Sequence, residues 1–350
     1  MLKKEQKVGA ISSFIQRLEK IGGRKKGVLF FRGHSDYKYQ LVPSIYRNAG
    51  WIENEETMLK ELMLRCPNDF SGGLSTFQCL VKMQHYSLPT RLLDITSNPL
   101  VALYFACVSR PDEDGEVVVL YFDIEQVKYF DSDTVSVISN ICKRPADFMI
   151  PHDGAIEAFN KTAEIKLLLH DIRQDKPHFE PIVQSTHLSK VVCVKPLLDN
   201  PRIIRQDGAF LLFGIDKEKA KPAQLDDSTV IEHIKITNTK KKELAIQLES
   251  LGISKATMFP EIEQVATHIK DNYKSPELRQ GELSSAQLAV LNQMRNQAAQ
   301  TLNEMAVHLN LSPLTVRHMV SRLLEKGLVE RIGSGRNVHW QAKQSIKEIL

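Results

Sequence analysis

Cysteine is scarce in this chain and poorly placed for chemistry. The five residues, Cys66, Cys79, Cys107, Cys142 and Cys193, are scattered through 350 positions, and no two stand at metal-ligand or redox spacing. Their odd number and mostly apolar surroundings fit reduced core residues rather than a disulfide framework. Long hydrophobic runs are also lacking. The longest, 99–108, falls far short of the ~20 apolar residues of a membrane helix. The opening MLKKEQKVGAISSFIQ has no continuous apolar stretch of the kind that marks a signal peptide. A cytoplasmic protein without a membrane partner is expected. There is no Gly-x-x-x-x-Gly-Lys-Ser/Thr loop to cradle phosphates, and no Gly-x-Gly-x-x-Gly after a strand. His-Glu-x-x-His and clustered cysteine pairs are missing, so no metal is expected. A Gly-x-Ser-x-Gly elbow is missing too.

What remains is ordinary globular material. Hydrophobic residues make up 42% and charged residues 25%, and the net charge is only +4. The length suits two domains, or three. Apolar spacing predicts helices over 8–20, 54–65, 77–85, 155–173 and 240–252, and a helix buried on nearly all sides over 100–108. Strands are expected over 28–31, 116–122, 191–194, 209–213 and 231–236, with a Pro/Asn-rich turn between the third and fourth. Strands and helices do not alternate regularly, which favours an α+β fold with a mixed sheet. Asp123, Asp131, Asp133 and the run Lys240–Lys242 read as solvated.

The polar segment 275–283 is the expected linker, and the residues after it form a separate small domain over 284–345. A helix over 284–297 turns Leu288, Leu291 and Met294 to one face. Thr301 and Glu304 form a capping box, with Met305, Ala306 and Leu309 on the apolar face that follows. Ser312 and Pro313 suit the N-cap and first position of a second helix, which carries Val316, Val320, Leu323 and Leu324 inward and closes at Gly327. Two short strands then flank a Gly-Ser-Gly turn. This succession resembles a winged helix-turn-helix of bacterial regulators. Thr315, Arg317, His318, Ser321 and Arg322 would face a groove, with Arg331 and Arg336 in the wing. Residues 281–350 hold eight Lys/Arg against five Asp/Glu, so most of the chain's net charge lies where a duplex would dock. A winged helix used only for dimerisation or protein contact is the alternative, and a homodimer is a further expectation.

Four blocks before the linker belong together: "FFRGHSDYKYQLVPSIYR" from Phe30, "MQHYSLPTRLLDITSNPLVALYFAC" from Met83, "NPRIIRQDGAFLLF" from Asn200, and "LAIQLESLGISKATMFPEIEQVATHIK" from Leu244. In that order they resemble the FRG domain family over roughly 24–273, preceded by an N-terminal helix over 1–23. The resemblance implies a domain common in bacterial and phage-related loci whose activity is largely undefined. Arg32 follows an apolar strand and precedes Gly33, where a missing side chain permits close approach. Its fork suits bidentate phosphate binding, or an internal carboxylate such as Asp94. Thr96, Ser97 and Asn98 sit where a strand meets a helix and suit capping or an anion. His85 suits a general base or a structural hydrogen bond, and Arg91 with Asp94 suits a structural pair.

The second block also resembles a signature of ADP-ribosyltransferases, in which an early-strand arginine grips the dinucleotide and a later-strand glutamate steadies the transition state. That resemblance matches Arg32, the run through Thr96 and Ser97, and Gln206; joined to the reading of the residues it makes Arg32, Gly33, Arg91, Asp94, Thr96 and Ser97 the candidates to hold NAD, with His85 and Gln206 as catalytic candidates. Gln206 with Asp207 departs from the family's glutamate, since an amide lacks the full negative charge. The leading expectation is a bacterial effector or defence-type protein that binds a nucleotide such as NAD, with transfer of ADP-ribose open, and is brought to DNA by its winged helix. A non-catalytic, ligand-sensing transcriptional regulator is the alternative, and a protein-interaction module the third.

Overall fold

The computed structural model of the chain describes residues 7–21, 27–70, 72–152, 154–260, 284–296, 299–333 and 338–343. They fall in two compact units, 1–265 and 266–350. The expected linker lies outside the described residues.

The first unit is built on a seven-stranded sheet from strands β1 (Gly27–His34), β2 (Leu92–Thr96), β3 (Gly115–Asp123), β4 (Val127–Tyr129), β5 (Val191–Lys195), β6 (Gly208–Phe213) and β9 (Val230–Ile236). Their order across the sheet is β4-β5-β6-β2-β1-β3-β9. Only β4 and β5 run parallel; the other neighbours are antiparallel. A small hairpin of β7 (Ile215–Asp216) and β8 (Glu218–Pro222) follows β6. The mixed sheet is that of the α+β fold expected from the sequence.

Helices cover the sheet in two groups. Towards β6, α3 (Glu55–Arg65), α4 (Thr76–His85), α6 (Asp133–Ser139) and α8 (Ala163–Asp175) enclose a core that includes Phe77, Leu80, Ile138, Leu168 and Leu212. They are joined there by the short helices α7 (Ile156–Asn160) and α9 (Ser185–Leu188), while α2 (Ala49–Glu53) packs against β8. Towards β3, α1 (Ile11–Ile21), α5 (Pro99–Cys107) and α11 (Lys241–Ser250) pack around Phe14, Phe31, Val117 and Leu244. The short α10 (Pro201–Arg205) leads into β6, and α12 (Lys255–Met258) follows α11. Helix α5 sits between β1, β3 and α11, which is why its sequence is apolar on every side.

Four expectations change. Strand β1 does not stop at Phe31 but runs through Arg32 and Gly33 to His34, because β3 pairs with all of it. The single helix over 155–173 is two, parted at Lys161 and Thr162, where Thr162 opens α8. The turn expected between β5 and β6 holds α10, capped by Asn200 with Pro201 at its first position. Lys241 is not solvated: it is 2% exposed, and its amine donates to the carbonyls of Ser35, Ser109 and Arg110. The five cysteines are free thiols, and burial pushes those of Cys107, Cys142 and Cys193 up to about 12.

The second unit holds α13 (Ser285–Asn296), α14 (Leu302–His308), α15 (Pro313–Glu325) and a hairpin of β10 (Val329–Ile332) and β11 (His339–Ala342). Gln300 exchanges backbone hydrogen bonds with Trp340 and adds an isolated bridge to β11. The Thr301–Glu304 capping box and the Ser312 cap form as the sequence indicates. Between α14 and α15, Asn310 takes a left-handed conformation (φ 53°) that asparagine tolerates, and Gly327 ends α15 with φ 69°. Val316, Val320 and Leu323 enter the core with Leu291, Met294 and Met305. Leu324 and Leu288 do not: they are 44% and 40% exposed.

Candidate ligand cavity and nucleic-acid interface

The sheet of the first unit has a split. Strands β1 and β2 share one paired position, Phe31 with Thr96, and beyond it they part. Arg32 bridges the gap. Its Nη1 donates to the Asp94 carbonyl of β2 at 2.5 Å, and its Nε donates to His34 Nε2 at 3.1 Å. The carbonyl that lost its strand partner is thus satisfied by a side chain. Arg32 therefore reaches the backbone of Asp94 and not its carboxylate, which accepts from Gln84 Nε2 at 2.8 Å. Burial pulls the Arg32 guanidinium down from its ordinary value, Asp94 opposes this, and Arg47 adds to it.

A cavity of about 290 Å³ opens at the split. Its lining includes Arg32, His34, Arg47 and Arg202 together with the apolar flank of α5, Val101, Ala102 and Phe105. A guanidinium offers five N–H bonds. Two of Arg32's are spent, and among the described residues none accepts the other three. Arg202 lies with its guanidinium 4.7 Å over the Phe259 ring, which meets Phe105 edge-on. A larger hollow beside β9, of about 510 Å³, is walled partly by Arg17 and Glu232, whose charges are spent on each other. At the split three arginines, Arg32, Arg47 and Arg202, line one cavity, and among the described residues none of them has an ion pair with a carboxylate.

Gly33 has a structural duty here. A Cβ on it would stand 1.9 Å from the Ala102 carbonyl oxygen, so only glycine lets α5 lie against β1. The close approach expected from the sequence is made by a helix.

The remaining sequence candidates divide. Thr96 and Gln206 share the cavity lining with Arg32, Gly33 and Asp94. The Thr96 hydroxyl donates to the Gln206 carbonyl at 2.6 Å and accepts from the Asn98 N–H at 3.0 Å, tying the end of β2 to the turn before β6. Gln206 Nε2 donates to the Met258 carbonyl at 2.8 Å. Ser97 is exposed and outside the lining; its N–H donates to the Asp207 carbonyl at 3.0 Å, while Asn98 caps α5. His85 borders a small adjoining recess, 3.4 Å from Asn200. Arg91 lies elsewhere, fully buried. It donates to both carboxylate oxygens of Glu55 and to the Phe213 carbonyl, so its structural partner is Glu55 and not Asp94.

In the second unit, Arg317, His318, Ser321 and Arg322 are exposed along α15, and Arg331 is exposed on β10. Thr315 is half-buried, with its hydroxyl 2.7 Å from that of Ser312 at the helix start. Arg336 lies outside the described residues. The arrangement is that of a winged helix with a cationic second helix.

Comparison with known proteins agrees with both halves. The model of the FRG domain matches residues 27–115, and that of the MarR family matches residues 283–337. The chain carries an FRG domain and a MarR-type winged helix. No curated protein matches. Among solved structures, a MarR family protein from Bacillus stearothermophilus is 18% identical over 31% of this chain and 68% of that one. Its TM-score of 0.17 is too low to carry an argument.

The matched part of the FRG domain spans β1, β2 and α5, and so contains the bridging arginine and the apolar wall. Twelve lining residues were not among the sequence candidates, His34, Arg47, Phe105 and Arg202 among them. His34 was findable. It stands two residues after Arg32, and in a strand such residues share a face. Ending β1 early hid it.

Proposed function

We propose that the FRG domain binds a nucleotide such as NAD at the β1–β2 split, and that the winged helix holds the protein on duplex DNA. The protein is a ligand-sensing, DNA-binding regulator. One observation carries this reading: Arg32 is fixed across the split with three N–H donors that no described residue accepts. Guanidinium groups pair with phosphate oxygens in a fork geometry, and Arg47 and Arg202 add charge beside it. The flank of α5 offers an apolar surface to a ring.

ADP-ribosyl transfer is a second reading, favoured by the sheet order. That resemblance joins an early-strand arginine, a strand ending in a hydroxyl run and a later block, and here β1, β2 and β6, which carry or directly follow those residues, are consecutive in the sheet. Asp94 is the one carboxylate in the lining, and Gln206 keeps its amide oxygen for a ribose hydroxyl. Incubation with NAD and duplex DNA, followed by mass spectrometry, separates the two readings. Bound NAD without turnover is expected of the regulator. Free nicotinamide or an ADP-ribose adduct, lost in Arg32→Gln, makes the protein an effector enzyme.

A further inference from the structure

A chain of hydrogen bonds runs from Arg32 through the sheet. Arg32 Nε meets His34 Nε2 at 3.1 Å, His34 Nδ1 meets Glu116 Oε1 at 3.0 Å, and Glu116 Oε2 meets His233 Nδ1 at 3.0 Å. It crosses three neighbouring strands, since His34 pairs with Glu116 between β1 and β3, and His233 lies on β9 beside β3. His34 and Glu116 are 3% and 4% exposed, so water does not substitute for these partners.

The chemistry of the two ends fixes the proton in the middle. Burial pushes the Glu116 carboxyl up, but the hydrogen bonds from His233 and His34 outweigh it and hold the group below its ordinary value. Glu116 is therefore a carboxylate near neutral pH and only accepts. His34 must then donate from Nδ1. At the other end the Arg32 Nε–H also only donates, so His34 Nε2 must accept. A single neutral tautomer, with the proton on Nδ1, meets both demands. Burial, with Arg32 and Arg47 nearby, disfavours the imidazolium, while Glu116 favours it; the balance lies with the neutral ring.

We propose that His34, oriented by Glu116, is the positioning residue that aims Arg32 into the cavity. Nε and one Nη1 hydrogen are held by His34 and the Asp94 carbonyl, which turns the remaining N–H edge towards the open split. A guanidinium so fixed binds an anion without losing its own freedom at that moment. The inference rests on the phosphate reading of the cavity for its consequence, but its premise about the tautomer stands apart from any ligand.

Two readouts on the full chain keep the two claims separate. Long-range ¹H–¹⁵N spectra of histidine-labelled protein near neutral pH, with the His34 signals assigned by their loss in His34→Gln, report the tautomer directly. Protonated Nδ1 is expected, and Glu116→Ala should shift the ring towards protonated Nε2. A protonated Nε2 in the unaltered protein overturns the proposal. The second readout is calorimetric titration with ADP-ribose. His34→Leu, which has no acceptor, should weaken binding about tenfold, the loss of one charged hydrogen bond. His34→Gln, whose amide oxygen can accept from Arg32, should bind within about threefold of the unaltered chain. Equal binding by His34→Leu overturns the positioning role. If the unaltered chain does not bind ADP-ribose, the nucleotide reading fails while the tautomer spectra still judge the chain of hydrogen bonds.

Discussion

Gly33 and Arg32 are adjacent but serve opposite faces of one strand. The glycine admits α5, and the arginine closes the split. Replacing Gly33 with alanine forces a methyl onto the Ala102 carbonyl, with backbone on both sides and nothing flexible to yield. Overpacking of this kind costs up to about 3 kcal/mol, so Gly33→Ala should melt several degrees lower by calorimetry. His34 makes stability depend on pH. Its folded pKa lies below the ordinary value of 6.5, chiefly through burial. Below that pH the unfolded chain takes up a proton that folded His34 resists. The contribution is therefore fully present above 6.5 and is lost as the pH falls through the folded value. His187, lowered by burial and Lys190, acts in the same sense. Melting temperature should fall from pH 7.5 to 5.5, and less steeply in His34→Gln; an identical slope would remove His34 from the explanation.

Elements here are placed by buried charge as well as by apolar contact. Glu55 opens α3, Arg91 precedes β2, and Lys219 belongs to β8. The Glu55 carboxylate holds the Arg91 guanidinium and stands 3.3 Å from the Lys219 amine, all 1% exposed or less. The amine also donates to the carbonyls of Cys142 and Arg144. Glu55→Ala strands two buried cations, at a cost of about 3–5 kcal/mol. Urea unfolding should show a midpoint reduced by that free energy; a change under about 1 kcal/mol would mean that the cations find other partners. Such long-range pairing explains what the sequence withheld. Capping and periodicity placed α5, α14 and α15 closely, because Asn98, Thr301 and Ser312 act on their own helix starts. The extension of β1 depends on β3, more than 80 residues away, and the partner of Arg91 on α3; neither leaves a local trace. The cavity was legible in part, through Arg32, Asp94, Thr96 and Gln206. Arg47 and Arg202 are brought in by tertiary packing.

At the scale of the whole chain, an FRG domain and a MarR-type winged helix occur in one polypeptide. No helix among the described residues is long and apolar enough to cross a membrane. The DNA side of the account predicts a salt-dependent affinity. Each lost phosphate contact should lower the slope of log K against log salt by about 0.9. Arg317→Ala and Arg322→Ala, both exposed on α15, should each flatten the slope in a duplex titration. An affinity that ignores salt would exclude phosphate contacts. The central claim is that Arg32 reads phosphate in the split of the FRG domain. Arg32→Gln keeps a donor for the Asp94 carbonyl while removing the charge and the fork. Calorimetric titration of both chains with NAD near neutral pH tests the claim most directly. The account predicts saturable binding at one site per chain, weakened at least tenfold by Arg32→Gln with the melting temperature little changed. No heat of binding in the unaltered chain, or equal affinity in the two, would contradict it.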